Sequence, residues 1–460
     1  MARLSDRAHL AILVGVAFFL RVFRLGDPSL SVDESMSLYV TQNLSHSGEI
    51  DVHPPLYFAA LRLWSELGGS ETWLRLSSVL AGTLCIPALF WLLGRADWPR
   101  PTRWVPCWML ATSTYAVELS RELRMYPLLS LEVLLGLGFL LRLRGDTTSP
   151  RTWLGYATSA LAAAWTHYFG LFLVLLSPLI LPYRRWRVGA PLGLLVALPT
   201  VLWWWVYRPG SDQDLTLRQT PDLKLLLETV GRIGFGEIGP YGNPLLIGGG
   251  VLVLAWLGWR ASLTPPAAPL EGGARRAERW LWSWALLPLL VVWLESSWGR
   301  NVFEAKYFVW LAPAWFCLLA ASRPPRILLV AWLLANLAGQ AWLQLPENYP
   351  SQDWRDVAQY VRAHPDLVLV EPSMMAAGLL AYGIPPEAMH PVDDPSEVAR
   401  LLAGQSHCLL ITTPFHPAAQ KADLAGFLQH FGTLNTVWER PRSLPSARVR
   451  VQRWVRSSPP

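Results

Sequence analysis

Residues 31–58 read SVDESMSLYVTQNLSHSGEIDVHPPLYF, and the way this stretch is understood decides the rest of the chain. Asp33, Glu34, Glu49, Asp51 and His53 all fall within it, and apolar runs flank it on both sides. In a chain that crosses a membrane, ionisable groups just past the first hydrophobic run usually serve chemistry or ion binding. A solvated loop with a few acids is the competing reading. The choice between them depends on where the other polar residues of the chain fall.

The surroundings are those of a polytopic membrane protein. Of 460 residues, 52% are hydrophobic and only 16% charged, where soluble domains carry about 25% charged residues. Mean hydropathy is +0.27. The 26 tryptophans suit a membrane interface, where the indole ring is buried and its N–H stays wet. The formal charge of +6 is modest, and the basic residues cluster in short loops. That pattern sets orientation and gives no sign of nucleic-acid binding. Cys85, Cys107, Cys317 and Cys408 form no CxxC pair, so neither a disulfide framework nor a zinc knuckle is indicated. Residues 1–23 have a basic start and an apolar core without a small-residue cleavage site, and read as an uncleaved first span.

Apolar runs occupy residues 8–23, 72–93, 104–119, 125–141, 153–166, 168–181, 191–207, 244–259, 280–294, 307–321 and 327–343. A further run, 54–67, is read as a helix lying flat on the outer surface. With it on the surface and the N-terminus in the cytoplasm, the cytoplasmic loops hold Arg95, Arg100 and Arg103; Arg142, Arg144 and Arg151; Arg184, Arg185 and Arg187; Arg260, Arg275, Arg276 and Arg279; and Arg323 and Arg326. This is the positive-inside pattern, and counting 54–67 as a span would invert every one of those loops. The expectation is therefore about 11 transmembrane helices, with the C-terminus outside. Arg21, Arg24, Arg62 and Arg75 fall on the outer side against the rule, and are read as functional cations near the head groups. The outer side also receives Asp33, Glu34, Asp51, His53, Glu122, His167 and the segments 208–243 and 300–306, none of which was used to set the orientation.

Past residue 345 the composition changes. SQDWRDVAQYVRAH (351–364) places Trp354, Val357, Ala358 and Val361 on one helix face. LVLVEP and CLLITTP read as buried strands, SEVARLLAG and KADLAGFLQHF as helices, and VWERP and ARVRVQRWV as late strands. The expected organisation is a membrane domain over 1–345 and a small extracytoplasmic α/β domain over 346–460.

The outer groups form recognisable chemistry. Asp33 lies in a polar loop, where a carboxylate removes the proton from an acceptor hydroxyl in an inverting sugar transfer. In DVHPPLY (51–57), Asp51 and His53 point to one side if the segment is extended, which suits a phosphate or a metal ion; the two prolines alone also fit a plain helix start. SRELRMYP (120–127) puts Arg121, Glu122 and Arg124 at the membrane surface. Either arginine suits a phosphate, and Glu122 a divalent cation or a sugar hydroxyl, against an internal salt bridge as the bland alternative. His167 in THYFG is the lone histidine of the next outer hairpin, where a packing role is the commoner fate. Lys306-Tyr307 opens a late span, where the lysine either snorkels or reaches a lipid phosphate. Tyr57 and Tyr126 count with these as candidate substrate-binding residues.

Taken in order, Asp33-Glu34, HPPLYF, the SREL-RMY hairpin, THYFG and the late Lys-Tyr resemble the GT-C superfamily of membrane glycosyltransferases, family 39 type, similar to protein O-mannosyltransferases and the lipid A aminoarabinose transferase. The resemblance covers about residues 10–345. It implies the GT-C fold and a hexosyl or pentosyl transferase in the inner cell membrane. Such an enzyme moves a sugar from a polyprenyl-phosphate donor, with inversion, to a protein, lipid or glycan hydroxyl on the extracytoplasmic side, with a divalent metal ion as the one cofactor in question. By that resemblance Asp33 matches the catalytic base and Glu34 its partner. The His53-Pro54 segment lines the site, and Glu122 matches the second acidic position. Lys306-Tyr307 stands where the relatives often have Arg-Tyr. The alternative is a lipid-linked sugar transporter or flippase without catalysis, a class that places ionisable residues at mid-membrane and often shows internal repeats; no repeated hydropathy pattern occurs here.

Overall fold

The computed structural model describes residues 5–51, 53–145, 149–207, 220–236, 243–263, 274–298, 301–349, 351–413, 424–440 and 448–457. Within the expected 208–243 outer loop, 208–219 and 237–242 lie outside the described residues, as does Val52. By internal contacts the chain forms two compact units: one of Met1–Phe23 and Leu44–Gln340, the other of Arg24–Asn43 and Ala341–Pro460.

The first unit is helical, and its helices are those of a multi-pass membrane protein. Five of those described are long and apolar enough to cross a bilayer: Glu71–Arg95, Tyr126–Arg144, Tyr183–Tyr207, Arg279–Trp298 and Arg326–Leu343. Tyr168–Ile180, Pro244–Arg260 and Ala305–Ala321 are shorter apolar helices. Glu71–Arg95 shows why such a segment holds. The Ser70 hydroxyl accepts from the Trp73 N–H at 3.2 Å, Glu71 sits in the first turn and Arg95 in the last, so cap and charges agree with the helix dipole. Its 25 residues extend about 37 Å, longer than the hydrocarbon core of about 30 Å. It packs on Tyr126–Arg144, where Gly138 has no Cβ because the Trp91 ring fills that space. By contrast only 17% of the apolar window of Arg326–Leu343 is covered by protein, leaving Ile327, Val330 and Leu334 for lipid. Leu56–Ser65, the surface-helix candidate, has 10 residues, about 15 Å.

The apolar run 104–119 is broken into the helices Arg100–Thr112 and Thr114–Ser120. The break is satisfied from elsewhere in the unit. Ser113 Oγ accepts from Ala116 N–H at 3.3 Å. Asn336, fully buried, accepts from Thr114 N–H at 2.7 Å and donates to Gly234 O at 3.2 Å. Gln340 donates to Thr112 O at 2.7 Å. A backbone interruption at membrane depth is tolerated where its groups find partners in protein.

The second unit is a five-stranded sheet with helices on both faces. The strands are β1 (Leu367–Glu371), β2 (His390–Pro391), β3 (His407–Thr412), β4 (Gly432–Glu439) and β5 (Arg450–Arg456). Their order is β2-β1-β3-β5-β4, with β1 parallel to β2 and β3, and β5 antiparallel to β3 and β4. Alternation along β1 sends Val368 and Val370 into one core and Leu369 into the other, which is why both faces of LVLVE read as apolar. The helix Trp354–Ala363 buries Trp354, Val357, Ala358 and Val361, the face its periodicity predicts. The segment 24–43, which the expected boundary at 345/346 left in the first domain, belongs to this unit. The four cysteines are all free and buried.

Candidate active site

In the first unit a set of polar and aromatic side chains converges from four separate stretches. Asp51 and His53 come from the turn ahead of Leu56–Ser65. Asp51 Oδ1 accepts from the His53 backbone N–H at 2.9 Å and from its Nδ1 at 2.6 Å. One carboxylate oxygen thus fixes both the turn and the ring. The His53 ring lies 5.0 Å from that of His167 and 6.3 Å from that of Tyr168. His167 lies 6.2 Å from Tyr126 and 5.6 Å from Tyr307, and those two tyrosine rings are 5.7 Å apart. The Arg124 guanidinium is 5.7 Å over Tyr126. Lys306 is 5.8 Å over Tyr307 and pairs with Glu304 at 2.9 Å. Arg124 and His167 are both buried.

The THYFG hairpin is built to hold His167. Helix Pro150–Thr166 stops at His167, whose backbone is extended, and the chain turns at once through Tyr168–Gly170. Gly170 is required there, because a Cβ would drive into the backbone of Ala163. His167 Nδ1 accepts from the Phe169 N–H at 3.1 Å. In the neutral ring this places the proton on Nε2. Nε2 is buried and has no hydrogen-bond partner among the described residues. Burial, together with His53 and Arg124 beside it, lowers the His167 pKa well below 6.5 against the opposing pull of Asp51. For Asp51, burial raises the pKa, but His53 and Arg124 outweigh it and hold the carboxyl below the usual carboxylate range. The site therefore offers an ionised Asp51, a guanidinium, and a neutral imidazole whose N–H is a waiting donor.

The remaining predicted residues make other contacts. Arg121 donates to the carbonyls of Arg21 and Phe23, closing the C-terminus of helix Asp6–Val22. Arg21, expected as a head-group cation, is buried and donates to Ala17 O at 3.0 Å, Ala111 O at 3.1 Å and Leu110 O at 3.3 Å. Both arginines reach helix-end carbonyls. Tyr57 is buried with its ring 5.5 Å from Phe58. Glu122 is half-buried, and its carbonyl accepts from Arg124 N–H at 2.8 Å. No group of three or more His, Cys, Asp or Glu able to hold a metal occurs among the described residues.

Asp33 and Glu34 belong to the second unit, in helix Val32–Gln42. Ser31 Oγ accepts from Glu34 N–H at 3.2 Å, and Glu34 Oε2 accepts from Ser31 N–H at 2.7 Å. This is a complete capping box, and Glu34 is buried while Asp33 is half-exposed. The S-x-x-E spacing of SVDE carried that signal in the sequence; reading two acids as a pair passed over it. Sequence reasoning also missed Glu132, a buried carboxylate within helix Tyr126–Arg144 that accepts from Thr166 Oγ1 at 3.1 Å. Its signal was a single acid inside an apolar run.

No family model matches the chain, and no curated protein sequence is similar to it. Solved structures do match. The oligosaccharyltransferase AglB from Archaeoglobus fulgidus, in complex with an inhibitory peptide and a dolichol-phosphate, superposes with TM-score 0.54 at 12% identity, over 98% of this chain and 74% of that one. The oligosaccharyltransferase of the same organism in complex with Zn and sulfate gives 0.51 at 12% identity, over 93% and 71%. ArnT from Cupriavidus metallidurans, bound to undecaprenyl phosphate, gives 0.48 at 15% identity, over 97% and 98%. These neighbours are GT-C glycosyltransferases, and the likeness is one of fold: the chain is a helical membrane protein of GT-C architecture carrying a small α/β unit.

Proposed function

We propose that the protein is an inverting glycosyltransferase that moves a sugar from a polyprenyl-phosphate donor to a hydroxyl of a protein, lipid or glycan, on the extracytoplasmic face of the inner membrane. The observation that carries this reading is the group of Asp51, His53, Arg124, Tyr126, His167, Lys306 and Tyr307, gathered in a GT-C fold. Arg124 and Lys306 supply cations, and His167 supplies a neutral N–H donor, for an anion. The dolichol-phosphate bound by the archaeal neighbour motivates a lipid phosphate as that anion. Asp51 orients His53, and the aromatic rings offer apolar faces to a sugar or a prenyl chain. The arginine distribution supports the outer side for this chemistry.

In the reaction the bond between the anomeric carbon and the phosphate oxygen breaks, and its electron pair leaves with the phosphate. The acceptor oxygen bonds to the same carbon from the opposite side, and its proton passes to Asp33. A positioned base contributes about 10²–10⁴-fold, and Asp33→Asn keeps the side-chain size while removing the proton acceptor. In proteoliposomes with a labelled polyprenyl-phosphate hexose, the variant should lose turnover by that factor and keep its donor affinity. Turnover at the wild-type rate refutes Asp33 as base. Lipid-linked sugar that crosses the bilayer without being transferred identifies a flippase instead.

A further inference from the structure

Asp33 sits between two anchored neighbours. The Val32 side chain is buried in the second unit's core with Trp354, Val357, Val370 and Leu379. The Glu34 carboxylate is fixed by the capping box at 2.7 Å from Ser31 N. The backbone leading up to them is held from far along the sequence. Tyr382 Oη accepts from Leu30 N–H at 2.8 Å, and Gln352 Oε1 accepts from Val32 N–H at 3.1 Å. Arg355 donates through its backbone N–H to Ser29 Oγ at 3.4 Å, and through its guanidinium to Gly26 O at 3.0 Å and Asp27 O at 3.5 Å. Arg24 donates to Gln344 O at 3.0 Å.

Irregular backbone needs partners for its polar groups, and water supplies them in an ordinary surface loop. Here side chains more than 300 residues away supply them, at the cost of ordering both segments. Ordering of this kind makes sense where the orientation of the segment matters. The bonds of Tyr382 and Gln352 fall on backbone N–H groups just ahead of Asp33, so they set its Cα–Cβ direction from outside.

We infer that the C-terminal α/β unit positions Asp33, and that Gln352, Tyr382, Arg355 and the Val32 pocket are positioning residues for the transfer reaction. The inference rests on the reading of Asp33 as the base. It gives the second unit a role in the chemical step, where a mere stabilising module would have none. A misplacement of about 1 Å costs on the order of 10²-fold in rate.

The test uses the full chain in proteoliposomes with labelled polyprenyl-phosphate hexose. Tyr382→Phe and Gln352→Ala each remove one side-chain acceptor. Both should lower kcat by roughly 10–10²-fold with donor KM unchanged. In an Asp33→Asn background neither should cause further loss, because a base that is absent cannot be misplaced. Arg450→Ala is the control: it breaks the Arg450–Glu439 pair at 2.9 Å between β5 and β4, destabilising the same unit without touching residues 24–34. It should lower the melting temperature and leave kcat alone. Wild-type kcat in both positioning variants overturns the inference. So does a loss that persists undiminished in the Asp33→Asn background, or an equal kcat loss in Arg450→Ala. Full turnover in Asp33→Asn by itself instead refutes the base reading, and the inference falls with it.

Discussion

At the scale of single residues, the arginines of this protein do two kinds of work. Arg21 and Arg121 satisfy carbonyls at helix ends, whereas Arg124 lies over Tyr126 beside Asp51 and His167. A charge-assisted bond is worth about 1.5–3 kcal/mol, so Arg124→Ala should raise the donor KM by roughly 10–100-fold. Titration of transfer rate against donor concentration measures this, and an unchanged KM removes Arg124 from the phosphate site. His167 gives a second prediction, on stability. Its folded pKa lies well below the ordinary 6.5. As pH falls below about 6.5 the unfolded chain takes up a proton that the folded protein refuses. Stability present above that pH is therefore lost as pH falls, by about 1.4 kcal/mol per unit for the one proton. Asp51 is also depressed, but its contribution is lost only in acid below about pH 4 and leaves this window clear. Denaturant unfolding between pH 7.5 and 5.5 should show the slope in wild type and a flatter one in His167→Gln. Equal slopes exclude His167 as the titrating group.

At the scale of elements, the site depends on places where helices stop. Ser113 splits one apolar run in two, and Gly170 lets the chain turn back against Ala163 directly after His167. Gly170→Ala puts a Cβ into backbone that has no side-chain freedom to yield. Overpacking of this kind costs about 1–3 kcal/mol, and the strain falls on the turn that carries His167. The variant should melt earlier and bind donor more weakly. Gly15→Ala, with open space at its Cβ, should do neither. A Gly170→Ala protein with wild-type melting and donor affinity contradicts this account of the hairpin.

At the scale of the whole molecule, basic loops alternate with stretches that carry the acids and histidines. On the proposed topology the positive-inside rule predicts residue 144 in the cytoplasm and residue 351 outside. Reporter fusions at Arg144 and Ser351 should report opposite sides of the membrane, and two cytoplasmic signals would invert the orientation on which the proposed donor side depends.

The sequence by itself determined what local pattern controls. Apolar runs of membrane length became helices such as Glu71–Arg95 and Arg326–Leu343. A 3.6-residue period placed Trp354, Val357, Ala358 and Val361 in a core, and short apolar runs bounded by turn residues became β1 and β3. Hydropathy and periodicity act within a few turns, so they are readable in one dimension. The tertiary structure alone decided that residues 24–43 join the C-terminal unit, that Arg121 reaches the end of a helix while Arg124 enters the polar group, and that the buried His167 N–H has no partner among the described residues. Each of these turns on contacts between segments tens to hundreds of residues apart, and such pairings leave no periodic trace in the chain, because only folding brings their partners within hydrogen-bond reach.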